Sequence, residues 1–249
     1  MKRTQISCLL FALVLSLSLL AGCSSTDTTT QSSEQSSETS AVESSVSSDE
    51  NQSAAEQLLT DITGTYQELW PVLLADEYKQ IWLDASAKFV GEDDAEATVQ
   101  KLQSMVTATI YGEEAVSAYQ DGDARYDCSF TQGVAQFQFD GTTIKGFDQS
   151  GSELFSHTYH FVGMEDINGM YEYESDDTDS GEFTYFCLAP DTSATTYHIE
   201  FRYGSDLEAL AQYDAGSYAY WMASGISVDC DQDMIENCIE LFCTENLSE

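Results

Sequence analysis

Positive charge is what this sequence has least of. Eight Lys and Arg stand against 44 Asp and Glu, a formal net charge of −36 over 249 residues. A nucleic-acid partner needs a basic footprint that neutralises phosphates and releases their counterions, and none exists here. An anionic membrane surface is excluded as a direct electrostatic partner on the same ground. Cations remain the natural one. Proline occurs only at Pro71 and Pro190, and histidine only at His157, His160 and His198. There is no nucleophile elbow, no phosphate-cradling glycine loop and no HExxH. The expectation is therefore a protein that is not an enzyme. The absence of any CxxC pair removes the commonest thiolate zinc motif.

What is present divides the chain. Lys2 and Arg3 precede an apolar run, Ile6 to Leu20, that is too short for a comfortable membrane span. It ends in Leu20-Ala21-Gly22-Cys23, which has the small residues and the thiol of a bacterial lipoprotein processing box. Residues 1–22 are read as a lipoprotein signal peptide. Residues 23–55 are read as the lipidated Cys23 followed by a disordered tether, because Ser24 to Ser53 is mostly Ser and Thr and offers little apolar surface to offset its ordering entropy. The expected location is the outer face of the cytoplasmic membrane, with the lipid as the only membrane contact. Residues 56–249 remain as one domain. Hydrophobic residues at 42% and aromatics at 12% of the chain supply it with a core.

Within that domain the pattern reads helix, strands, helix. Tyr78, Ile81, Trp82, Ala85 and Phe89 form a helical stripe, and Asp93 or Asp94 can cap a second helix through Gln103, with Ala97, Leu102 and Met105 inward. Then come short runs rich in Val, Ile, Thr and aromatics: 107–111, 125–130, 134–139, 142–147, 154–162, 170–174, 183–188 and 195–203. Gln132-Gly133 and Asp140-Gly141 are the turns that hairpins require. About eight short strands fit an up-and-down barrel or a sandwich. A last helix begins near Asp231, with Asp233 and Glu236 at capping-box spacing and Ile235, Ile239 and Phe242 on one face.

Five cysteines follow Cys23: Cys128, Cys187, Cys230, Cys238 and Cys243. An odd number argues against a complete disulfide framework. Cys238 and Cys243 are too far apart on an intact helix to bridge. Cys128–Cys187 is one possible disulfide, which the sequence does not decide.

For chemistry, His198 and Glu200 are two apart on a strand and so share a face, with Ile199 and Phe201 on the other. An imidazole and a carboxylate converging in a barrel interior are ligands for zinc or another divalent transition metal. His157 and His160 are three apart on a strand and face opposite ways unless a bulge intervenes. Asp229, Asp231, Asp233 and Glu240 occupy calcium-loop positions, but Met234 stands where the sharp turn wants glycine. Glu172, Glu174, Asp176, Asp177, Asp179 and Glu182 form an acidic run without loop spacing, read as a solvated hairpin tip.

The order of several motifs resembles the ZinT (YodA) family of bacterial zinc-binding proteins, whose domain also forms the C-terminal part of some streptococcal zinc-binding lipoproteins. Gly64-Thr65-Tyr66 running into Trp70-Pro71-Val72-Leu73-Leu74 is similar to the family's opening. Phe139-Asp140-Gly141, Ser150-Gly151 and Tyr159-His160-Phe161 resemble its central hairpins. Ala189-Pro190 and His198 through Gly204-Ser205-Asp206 resemble its metal-binding strand and the turn after it, and Trp221 with the acidic last helix closes the match. The resemblance covers Gly64 to Phe242. It implies a mainly β, lipocalin-like (calycin-type) antiparallel barrel with helices flanking both ends. It also implies zinc, or a related divalent cation, bound for metal acquisition or homeostasis and passed to a metal ABC importer. The family site has a histidine before the Ala-Pro and an H-x-H on the later strand. His198 matches the first of the pair, Glu200 stands at the second, and Phe186 aligns with the earlier histidine. His157, His160 or Glu172 is left to supply a third ligand. Two other readings stay open: a lipocalin-like binder of a small ligand, and a structural surface domain with a vestigial metal site.

Overall fold

The computed structural model describes residues 38–119, 125–190 and 198–248. Residues 1–22, read above as a signal peptide, Cys23 and residues 24–37 lie outside them.

Eight strands close into an antiparallel barrel in which each strand pairs with its sequence neighbours and β1 closes on β8. They are β1 (Gly64–Glu68), β2 (Gln136–Asp140), β3 (Thr143–Phe147), β4 (Glu153–Met164), β5 (Tyr171–Ser175), β6 (Tyr185–Leu188), β7 (His198–Gly204) and β8 (Ala223–Ser227). The β2–β3 hairpin turns at Gly141, whose φ of 55° is the left-handed value that glycine adopts without strain. An up-and-down barrel of eight strands has an interior that side chains can fill. Here they do. Phe137 meets the rings of Phe130, Phe155, Phe186, Phe201 and Tyr203 with centroids 4.9–6.1 Å apart. The wall is therefore packed around a cluster of aromatic rings.

One mouth is plugged by α1 (Glu38–Asp61), which reaches back into the stretch read as tether. Its last turns carry Ala55, Leu58, Leu59 and, just beyond, Ile62, all buried in the barrel cluster. These positions are spaced as one helical face. The folded unit therefore begins before residue 56.

Outside the wall lies a helical layer of α2 (Leu69–Leu73), α3 (Lys79–Val90), α4 (Glu92–Met105) and α7 (Gln232–Leu247), packed on Ile226 of β8. Phe242 of α7 packs edge-on against Trp70 and Trp82 at 4.9 and 5.9 Å. Trp82 donates its indole N–H to the Leu73 carbonyl at 2.8 Å. Two short helices, α5 (Glu113–Ala118) and α6 (Leu207–Leu210), lie in the connections. Among the described residues no helix is long and apolar enough to cross a membrane.

Some local expectations change. Residues 107–111 and 125–130 form no strand beyond single bridges from Asp127 to Thr107 and Trp221; β1 and β8 take their places in the count. The cap of α7 is Asp231, whose carboxylate accepts the Met234 N–H at 3.0 Å, so the Asp233/Glu236 spacing is incidental. Gly91 precedes α4, and its buried face is Ala95, Val99 and Leu102; Ala97 is exposed. Cys128 and Cys187 are both buried free thiols, not a disulfide.

Candidate functional site

Every residue of β7 is buried. Ile199, Phe201 and Tyr203 belong to the barrel interior: Phe201 and Tyr203 stack on Phe186 at 6.1 and 5.3 Å. Strand alternation then puts His198, Glu200 and Arg202 on the outer side of the wall. They are 6%, 4% and 0% exposed, because the outer layer covers them. His198 and Glu200 do share a face, as their spacing requires. That face is turned toward α2 and α7, not into the barrel, because the three larger apolar side chains claim the interior.

His198 and Glu200 line a cleft of about 20 Å³ with Leu69 and Trp70 of α2 and Cys238 and Glu245 of α7. That volume holds roughly one water. Cys238 and Glu245 are two helical turns apart and so project from one face of α7. Imidazole, carboxylate and thiol are the donor types zinc takes. They flank the cleft without closing on a point: among the described residues no three such side chains are placed to hold a metal ion.

The surroundings are unusual for a helix–sheet seam. Trp70 is 6% exposed, and its indole N–H is directed at the Cys128 thiol. Cys128 lies close by. Burial pushes its thiol well above the ordinary range, the Glu200 carboxylate adds to the rise, and Ser224 and Trp70 pull the other way. Ser224 is the cross-strand partner of Glu200.

The other candidates stand elsewhere. His157, paired with Ile144, accompanies the inner face of β4, and its Nδ1 meets Asp177 Oδ2 at 2.8 Å. His160 is exposed on the outer face, with Nδ1 2.8 Å from Asp176 Oδ1. They point apart, as the spacing of three required, and neither lines the His198 cleft. Glu172 lies across Gly163 and pairs with Cys187; it does not line the cleft either. The calcium-like series is dispersed: Asp231 caps α7, and Glu240 is tied to Lys88 at 2.8 Å. Phe186, aligned with the missing family histidine, faces the interior, opposite to His198. On β6 Cys187 faces outward beside Tyr185 and is the partner of Arg202.

Arg202 is the functional-looking group that the sequence did not flag. Its guanidinium donates to the carbonyls of Leu210, Gln212 and Tyr218 and lies over the Tyr213 ring at 4.5 Å. A fully buried cation bonded to carbonyls pins residues 205–221 against the barrel wall. The contribution of α7 was also missed, although the seven-residue spacing of Cys238 and Glu245 was available. A wider open groove of about 740 Å³ is lined by Glu68, Pro71, Phe130, Val134, Asp148 and Gln149, of which Phe130 and Val134 also belong to the barrel cluster.

Against known proteins, no family model and no curated protein matches the chain. Among solved structures it is similar to the Zn(II)-bound ZinT-like domain of Streptococcus pneumoniae AdcA, at 16% identity and a TM-score of 0.47, covering 73% of this chain and 89% of that one. It is also similar to Zn(II)-bound AdcA from the same organism, at 16% identity and a TM-score of 0.43, covering 77% of this chain and 35% of that one.

Proposed function

We propose that this protein is a non-enzymatic, lipid-anchored binder of a divalent cation, zinc foremost, held on the outer wall of the barrel at His198 and Glu200. One observation carries the reading: an imidazole and a carboxylate on β7 are buried together against further zinc-type donors, at a cleft the size of one water. The formal charge of −36 favours a cation as the ligand. The Lys2–Arg3 leader and the Leu20–Cys23 box support anchoring at Cys23 on the outer face of the cytoplasmic membrane. Delivery of the ion to an importer is the role such an anchor would serve.

The aromatic packing of the barrel interior favours a second reading, a structural surface domain. Calorimetric zinc titration of residues 24–249, beside a His198→Ala/Glu200→Ala variant, separates the two. One site per chain, lost in the variant, supports metal binding. Many weak ions, unchanged in the variant, would leave only acidic surface attraction and the structural reading.

A further inference from the structure

We infer that the groove at the barrel mouth opposite α1 binds a linear aliphatic polyamine: Glu68 and Asp148 hold its ammonium groups, and the apolar lining of Pro71, Val72, Phe130 and Val134 takes the methylene chain. The site is separate from His198 and Glu200 and does not depend on the cation-binding reading above.

Strand register places the two carboxylates. Gln67 pairs with Gln136, and Gln136 with Phe147. The next residues, Glu68, Ala135 and Asp148, therefore stand in three adjacent strand columns at this mouth, and all three line the groove. Neighbouring strands lie about 4.8 Å apart, so the Glu68 and Asp148 backbones are roughly 10 Å apart. Two anionic groups at that separation, with the apolar Ala135 column between them, complement a flexible chain that carries its charges at intervals. The groove volume of about 740 Å³ falls within the roughly 300–1,000 Å³ of small-molecule sites.

Each carboxylate is held through one oxygen. Glu68 Oε1 accepts the Phe130 N–H at 2.8 Å. Asp148 Oδ1 accepts the N–H groups of Ser150 and Ser152 at 2.8 and 2.9 Å and the Ser150 hydroxyl at 2.6 Å. Both side chains are thus oriented, with Oε2 and Oδ2 left to accept from a ligand. The same Ser150 and Ser152 bonds hold the Asp148 carboxyl below its usual range, so it stays ionised. Among the described residues lining the groove there is no Lys or Arg, and charge-assisted bonds from ammonium groups would supply the missing sign. No three metal-ligating side chains come together among the described residues, and the apolar lining favours an organic cation over a bare ion.

The test is calorimetry of the full chain in neutral detergent at physiological salt, with spermidine as the probe. The expected result is one spermidine per chain. Glu68→Gln/Asp148→Asn keeps acceptors for Phe130, Ser150 and Ser152 and weakens binding on the order of tenfold or more. Gln149→Lys, a change at an exposed position that brings an ammonium into the groove, weakens it to a similar degree. Glu113→Gln/Glu114→Gln removes the same charge from the exposed side of α5 and leaves binding unchanged. Butylamine, with a single ammonium group, binds on the order of tenfold more weakly than spermidine. Circular dichroism checks that each variant is folded. Many weakly bound spermidines, or equal loss in the α5 variant, would mean attraction to the acidic surface only and overturn the site. Binding that survives both groove variants overturns it as well, and butylamine binding as tight as that of spermidine overturns the two-carboxylate arrangement.

Discussion

Tyr173 on β5 donates a 2.8 Å hydrogen bond to the carbonyl of Ala55 on α1, and Tyr66 on β1 donates one of 2.9 Å to Ile62. Two barrel tyrosines thus grip the backbone at the end of α1 from inside the mouth, while Leu58 and Leu59 fill it. The plug belongs to the fold. Truncation to residue 64 should expose Tyr66, Phe139 and Tyr173 to water and abolish cooperative unfolding. Leu59→Ala should lower stability by about 2–5 kcal/mol and Tyr173→Phe by about 1 kcal/mol. Urea denaturation of the three proteins checks this; a truncated chain as stable as the parent would show the plug to be dispensable.

Much of this was readable from the residues. Asp140-Gly141 marked a hairpin, and 143–147, 154–162 and 198–203 alternated as strands do. The plug escaped because Ser and Thr dominate the composition before it, although Ala55, Leu58, Leu59 and Ile62 were correctly spaced. Strand β8 escaped because Ala223, Ser224 and Gly225 look like a loop. At Gly225 the smallness has a cause: a Cβ there would stand 3.3 Å from Ile199, Phe130 and Tyr66, a tight fit against the packed interior. The face shared by His198 and Glu200 was legible, but its direction was not. Both faces of β7 are buried, and only the closed ring of neighbours decides which is inside.

Arg202 tests the strap over residues 205–221. Arg202→Ala removes the donors from three carbonyls at once, each worth roughly 1–3 kcal/mol when left buried and unpaired. Water regains some of them, so a net loss of about 3 kcal/mol is expected. Arg202→Lys should not rescue it, since an ammonium cannot span the same fork of acceptors. Hydrogen exchange should show faster opening confined to 205–221 in both variants. Unchanged exchange there would mean that the strap is held by Tyr213 and Tyr218 alone.

Aligning Phe186 with a family histidine makes a sharp prediction. Phe186 lies among Phe137, Phe201 and Tyr203, on the opposite side of the wall from His198. Phe186→His therefore cannot add a ligand to the outer cleft. It should destabilise the barrel by about 3 kcal/mol, through lost aromatic packing and a buried imidazole, and leave zinc affinity unchanged. Calorimetry that found tighter zinc binding in this variant would place His198 on the inner face after all.

Glu172 links the acidic surface to pH. Burial raises its carboxyl above the ordinary range, and repulsion from Glu165 and Asp166 adds to the rise. Its Oε2 lies only 2.7 Å from where a Cβ on Gly163 would stand, so glycine gives the carboxyl its room. In the unfolded chain the group titrates near its usual value of about 4.3. Below that value both states are protonated and it contributes nothing to the pH dependence. As pH rises through the window between the unfolded and the raised folded value, the unfolded chain releases its proton first. The folded state then loses stability, and above the folded value the full penalty applies. Glu172→Gln abolishes this response. The group is partly exposed, so solvent screening limits the gain to at most about 1 kcal/mol, a rise in Tm of about 2–4 °C or less at neutral pH. The difference from the parent should shrink to nothing near about pH 3. Paired thermal melts across that range measure it directly. A variant less stable than the parent at pH 7 would mean that the ionised Glu172 is held by a favourable partner, and the sign of its contribution would reverse.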